Sequence, residues 1–215
     1  MWRYAVPVAA LCVAGIGIAI GTTYSKAEAP AAPAFVSHVD GRIRYPADRY
    51  PTLETPDGVK HPVHSLLDVQ RPLRFGDYVW NDKDVPPGPV WVRVDLAKQT
   101  LSVFRDGHEI GTAIILFGTD GKPTPAGTFP VMAKAATHRS SLYDAPMPFM
   151  LRLTGDGVAI HASNVRRGSA THGCIGIPYR FAELLFGQIK RGDQVVILPL
   201  EPDRQATGHG PAPTA

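Results

Sequence analysis

Residues 100–105, Thr-Leu-Ser-Val-Phe-Arg, alternate polar and apolar and run directly into Asp106-Gly107. A period of two puts every second side chain on one face, as in a half-buried strand. Asp-Gly suits a two-residue hairpin, whose central positions need positive φ. The chain therefore turns back on itself, and His108 to Phe117 reads as the return strand. Its apolar end places it centrally. Val90 to Asp95 reads as the strand before, and Gly127 to Ala133, Phe149 to Leu153, Gly157 to Ile160 and Gln194 to Leu198 as further strands. Tyr179 to Lys190 carries Phe181, Leu184, Leu185 and Ile189 at helical spacing, with Gly192 as a stop. Glycine and proline number 21 each among 215 residues, above average usage, which suits turns and irregular connections rather than a helical bundle. The expectation is a mainly β, mostly antiparallel domain with one or two short helices over residues 89–198.

The flanks differ. Residues 1–29 contain Arg3, an uncharged apolar run from Ala5 to Gly21, and the small-residue box Ala27-Glu28-Ala29. They predict an export signal, or a retained inner-membrane anchor over residues 5–21, since the run is nearly long enough to span a bilayer. The domain then works in the periplasm or cell envelope. Residues 30–88 are Pro-rich and form a lead-in expected to pack on the main domain, with a short helix over Val63 to Gln70 and a strand over Leu73 to Trp80. Residues 199–215 read as a disordered tail. The net charge of +3 comes with no Lys/Arg run, so nucleic acid is not an expected partner.

Of two cysteines, Cys12 sits in the leading apolar run, leaving Cys174 alone in the expected exported part. A solitary cysteine in an oxidising compartment signals a reactive thiol, an intermolecular bond or an inert buried side chain. Its neighbours favour reactivity: Ile160-His161-Ala162 precedes it, and Thr171-His172-Gly173-Cys174-Ile175-Gly176 contains it. A free thiol is mostly protonated at neutral pH, so a histidine within reach and nearby positive charge would help it become the nucleophile and return a proton to a leaving amine. Such a thiol is expected to react well below pH 8. Gly173 and Gly176 permit a sharp turn that aims N–H groups at an oxyanion, worth roughly 3–4 kcal/mol of barrier per donor. Either histidine fits. A zinc site of His161, His172 and Cys174 lacks a fourth ligand at tight spacing, so neither metal nor cofactor is expected.

The Ile160-His161 pair, the Thr171–Cys174 box and Thr124-Pro-Ala-Gly-Thr-Phe-Pro130 resemble the L,D-transpeptidase catalytic domain, the YkuD-like family. The resemblance covers about Val90 to Leu198. It implies a β-sandwich and cysteine acyl transfer between peptidoglycan stem peptides, with carbapenem-type β-lactams as inhibitors. It assigns Cys174 as nucleophile, His161 as proton donor and acceptor oriented by the Ala162 carbonyl, and His172 with Gly173 as shapers of the oxyanion site. Many members carry Arg or Asn two residues after the cysteine, where this chain has Gly176. Substrate contacts are accordingly expected from Thr171, Gly176 and the loop residues Arg166 and Arg167, with Arg139 as another source of charge. Hydrolysis by an L,D-carboxypeptidase or amidase of the same fold, and a non-catalytic wall- or metal-binding module, are the alternatives.

Overall fold

The computed structural model describes residues 36–118, 121–140 and 143–200. The expected leader, the anchor over residues 5–21 and the tail beyond residue 200 lie outside them. Among the described residues no helix is long and apolar enough to cross a membrane.

The lead-in supplies six short strands: β1 (Ser37–Val39), β2 (Arg42–Arg44), β3 (Thr52–Glu54), β4 (Lys60–Pro62), β5 (Ser65–Leu67) and β6 (Tyr78–Trp80). The rest forms β7 (Val90–Asp95), β8 (Thr100–Arg105), β9 (His108–Ile114), β10 (Gly127–Pro130), β11 (Ala133–Ala135), β12 (Met150–Arg152), β13 (Ala159–Ala162), β14 (Ile175–Ile177), helix α1 (Tyr179–Gln188) and β15 (Gln194–Leu198). A nine-stranded sheet runs β1-β2-β5-β9-β8-β7-β15-β10, with β6 also on β9, and a four-stranded sheet runs β11-β12-β13-β14. Strands β3 and β4 form a separate ribbon.

The expected hairpin is present. Val92 faces Val103, and Thr100 faces Ile114. Asp106 and Gly107 both take positive φ, 49° and 74°. Pairing is mostly antiparallel, but β15–β7, β13–β14 and β5–β9 are parallel. The inner faces of the two large sheets share one core: Val92, Leu101, Val103 and Ile110 from one, Leu151, Ile160 and Ile175 from the other, and Phe181 and Leu185 from α1. This is the mainly β fold expected from the alternation, arranged as the sandwich that the resemblance implied.

The expected helix over Val63 to Gln70 is not formed. Ser65–Leu67 is instead a strand between β2 and β9, and the Glu109 carboxylate accepts from the Leu67 N–H at 3.0 Å. Those pairings satisfy backbone groups that a helix would otherwise have to satisfy locally, so tertiary context overrides a weak propensity. The lead-in thus belongs to the large sheet. Arg42, only 1% exposed, locks it there: its guanidinium donates to Ser65 Oγ at 3.0 Å, to the Glu109 carbonyl at 2.8 Å, and to the Asn81 carbonyl.

One helix forms, over most of the expected span. Phe181, Ala182 and Leu185 make its buried face. At its end the Lys134 ammonium donates to the Phe186 carbonyl at 2.7 Å and to the Ile189 carbonyl, a cation placed where the helix dipole and orphan carbonyls favour one. Gly111 of β9 lies beneath the Trp80–Phe181 edge-to-face pair, whose centroids are 5.4 Å apart. A Cβ at Gly111 would come within 2.4 Å of the Trp80 ring.

Candidate active site

Strands β13 and β14 bring the candidate residues together. They pair in parallel, Ile160 opposite Ile175 and His161 opposite Gly176. Ile160, Ile175 and Ile177 point into the core. Alternation therefore puts His161, Cys174 and Gly176 on the other face, and His161 and Cys174 line one small cavity of about 160 Å³. A larger neighbour of about 300 Å³ also reaches Cys174. Ser140, Tyr143, Met147 and His172 border both.

The His161 ring is oriented by its own strand end. Nδ1 lies 2.9 Å from the Ala162 carbonyl. A carbonyl only accepts, so Nδ1 carries the proton and a neutral ring presents Nε2 as a base. Burial pushes the His161 pKa below its ordinary value, and nearby His138 adds to this, while the Ala162 hydrogen bond opposes it.

Cys174 is half-buried. Its thiol donates to the Gly157 carbonyl at 3.8 Å and packs against Met147, Met150 and Ala159. Burial pushes the thiol pKa up. The Asp156 carboxylate adds to the rise, and a backbone hydrogen bond from Ala159 offsets part of it. Both shifts favour the neutral forms of thiol and imidazole, and the thiol's hydrogen bond goes to Gly157.

The loop before β14 is held by backbone geometry. Gly173 has φ +100°, a region side chains disfavour. Its carbonyl accepts from the buried Thr124 hydroxyl at 2.9 Å, and the Thr124 hydroxyl oxygen in turn accepts from the Gly118 N–H at 2.9 Å. The Thr171 N–H bonds the Phe117 carbonyl at 3.1 Å, and its hydroxyl donates to the Cys174 carbonyl. His172 stacks on Tyr143, centroids 4.5 Å apart, and the Lys122 ammonium lies 5.6 Å from the Tyr143 ring centroid.

The other expected contacts divide. Thr171 lines the smaller cavity, and Gly173 the larger. Arg166 and Arg167 line neither; Arg166 donates to Asn164 at 3.0 Å, and Arg167 lies over the Phe75 ring. Arg139 is exposed and paired with Asp144. Gly176 exchanges backbone hydrogen bonds with Leu116, and a Cβ there would lie 2.8 Å from the Ser163 Cβ. It closes a sheet contact and leaves the cavities to other residues. Sequence reading missed Lys122, Ser140, Tyr143 and Met147. Only Gly121-Lys122-Pro123, immediately ahead of the Thr124 stretch, offered a local hint of a loop near the site.

A family model described as the L,D-transpeptidase catalytic domain (YkuD) matches residues 89–197. No curated relative matches the chain. Among solved structures, an L,D-transpeptidase from Stackebrandtia nassauensis is 24% identical with a TM-score of 0.49, covering 53% of this chain and 57% of that one. One from Mycobacterium tuberculosis H37Rv is 24% identical at 0.47, covering 51% and 57%. One from Mycobacterium smegmatis is 21% identical at 0.49, covering 72% and 69%. The chain spans a little over half the length of the first two.

Proposed function

The chain belongs to the L,D-transpeptidase catalytic domain family, and from that premise we propose that it cross-links peptidoglycan stem peptides through an acyl-enzyme on Cys174. The observation that carries this reading is the shared cavity of Cys174 and His161, with Nδ1 held by Ala162 and Nε2 left as base. His161 Nε2 takes the thiol proton as the sulfur attacks the carbonyl of a donor stem. The tetrahedral intermediate collapses, the terminal amine leaves with the proton returned by His161, and a thioester remains. An amine of a second stem then attacks the thioester. His161 takes that amine's proton and gives it to the departing sulfur.

A neutral resting pair suits this cycle, because the proton moves only as the new bond forms. His172 and Gly173 shape the oxyanion site, and Thr171 fixes the carbonyl of the nucleophile. Residues 89–198 form the catalytic domain, residues 1–29 direct export or anchor it, and the reaction takes place in the envelope where stem peptides are.

The test is incubation of the full chain with tetrapeptide stems, with and without an acceptor amine, and mass spectrometry of products. Cross-linked dimer that disappears in Cys174→Ala supports the reading. Tripeptide alone, even with acceptor in excess, replaces transfer with hydrolysis. No product from either overturns it.

A further inference from the structure

At the opposite functional extreme of the large sheet's hairpin, His64, Asp106 and His108 form a cluster that acyl transfer does not use. One ligand-type atom from each lies within 4.8 Å of the others, and all three residues are partly exposed. The fold assembles them from two directions. Asp106 and His108 flank Gly107 at the tip of the β8–β9 hairpin, both turn residues having positive φ. His64 arrives from the lead-in just before β5, held by its N–H to the Gly107 carbonyl at 2.7 Å and by its carbonyl to the Tyr45 N–H at 3.0 Å.

Both rings are braced. The His108 Nδ1 lies 2.9 Å from Ser65 Oγ, and the His64 ring packs on Tyr50 with centroids 4.2 Å apart. The His108 contact is of the kind that commonly ties a ligating histidine's second nitrogen, and it leaves Nε2 for a metal.

We propose that His64, Asp106 and His108 bind a divalent transition-metal ion of the zinc type, clamping the lead-in to the hairpin of the catalytic domain. Two imidazoles and a carboxylate are a set that zinc accepts with water in the fourth position. Imidazole nitrogen disfavours magnesium and calcium, which prefer oxygen. Zinc ligands at about 2.0–2.2 Å from the metal lie about 3.3–3.6 Å apart in a tetrahedron, so atoms already within 4.8 Å of one another need only a small side-chain adjustment to bind. Arg42 stands behind Ser65 and is occupied by Ser65, Glu109 and Asn81. Its charge weakens cation binding, and the ion is expected to yield to a strong chelator.

This inference is independent of the chemistry at Cys174. The test is calorimetric titration of the full chain with zinc chloride, in a Cys174→Ser background so that the thiol does not compete. One saturable site is expected, with a rise in Tm reversed by chelator and no response to magnesium. Asp106→Asn and His64→Gln, each first shown to keep the metal-free Tm and circular dichroism, should each weaken binding at least tenfold. Cobalt should give the visible spectrum of a four-coordinate ion. Absence of saturable binding, or zinc affinity unchanged in both folded variants, overturns the proposal.

Discussion

Thr124 and Gly173, 49 positions apart in the chain, are joined by a buried hydrogen bond of 2.9 Å from hydroxyl to carbonyl. Because the Thr124 hydroxyl oxygen also accepts from the Gly118 N–H, one side chain ties three segments together next to Cys174. The Thr-Pro-Ala-Gly stretch therefore acts on the site through backbone placement.

Thr124→Val keeps the shape and deletes both bonds. Each buried donor or acceptor left unpaired costs about 1–3 kcal/mol, and the Gly118 N–H and Gly173 carbonyl both lose their partner, so chemical denaturation should show a loss of about 2–6 kcal/mol. Turnover should fall at least tenfold with the variant still folded, and Thr124→Ser should restore most of both. Equal turnover for Val and wild type would remove Thr124 from the positioning of the loop.

The pH dependence follows from burial. The proposed base, His161, can act only when neutral, and its folded value lies below the ordinary one. The acid limb of kcat/KM should accordingly fall below pH ~6.5, the free imidazole value. Unfolded chains bind this proton more readily, so this group's contribution to stability declines as pH drops from ~6.5 through the lowered folded value. Burial raises the thiol, and iodoacetamide alkylation of Cys174 should show a midpoint above ~8.5. A midpoint near 6 would instead demand a preformed thiolate–imidazolium pair.

Lys122 borders the larger cavity beside Cys174, whereas Arg166 and Arg167 do not. Lys122→Ala should raise KM for a donor stem bearing a free terminal carboxylate several-fold, with a smaller effect on kcat. Arg166→Ala and Arg167→Ala should leave both within about twofold, by the usual small effect of solvated surface charges. Steady-state kinetics on one defined stem decides between these cations.

Gly176 tests the packing directly. Gly176→Asn places a Cβ 2.8 Å from the Ser163 Cβ, and crowding of this kind typically costs about 1–3 kcal/mol. The variant's Tm should fall, and Ser163→Gly in the same chain should recover part of the loss. An unchanged Tm for the single variant would mean that the neighbouring strand yields freely.

Much of the β domain was legible because alternation and Asp106-Gly107 are local signals, strong where both strands are half-buried. The lead-in was not. Ser65–Leu67 gains its strand character from partners at residues 42–44 and 108, which no window around it contains. At the site, Cys174 and the two histidines were visible as a cluster of reactive types in one short segment. Lys122 and Tyr143 were not, because their link to the cluster is tertiary. The sign of the thiol's pKa shift was also hidden, since Met147, Met150 and Ala159 supply the desolvation from other elements.

The central claim is that Cys174 accepts an acyl group with His161 as its proton carrier. A carbapenem, whose strained ring carbonyl is a ready electrophile, offers the most direct measurement: intact mass and peptide mapping of the full chain after exposure to the drug. One adduct, mapped to Cys174, is expected on the wild type and none on Cys174→Ser, with acylation slowed ~100-fold or more in folded His161→Ala. An adduct on another residue, no adduct on folded wild type, or an undiminished rate in His161→Ala would contradict the account.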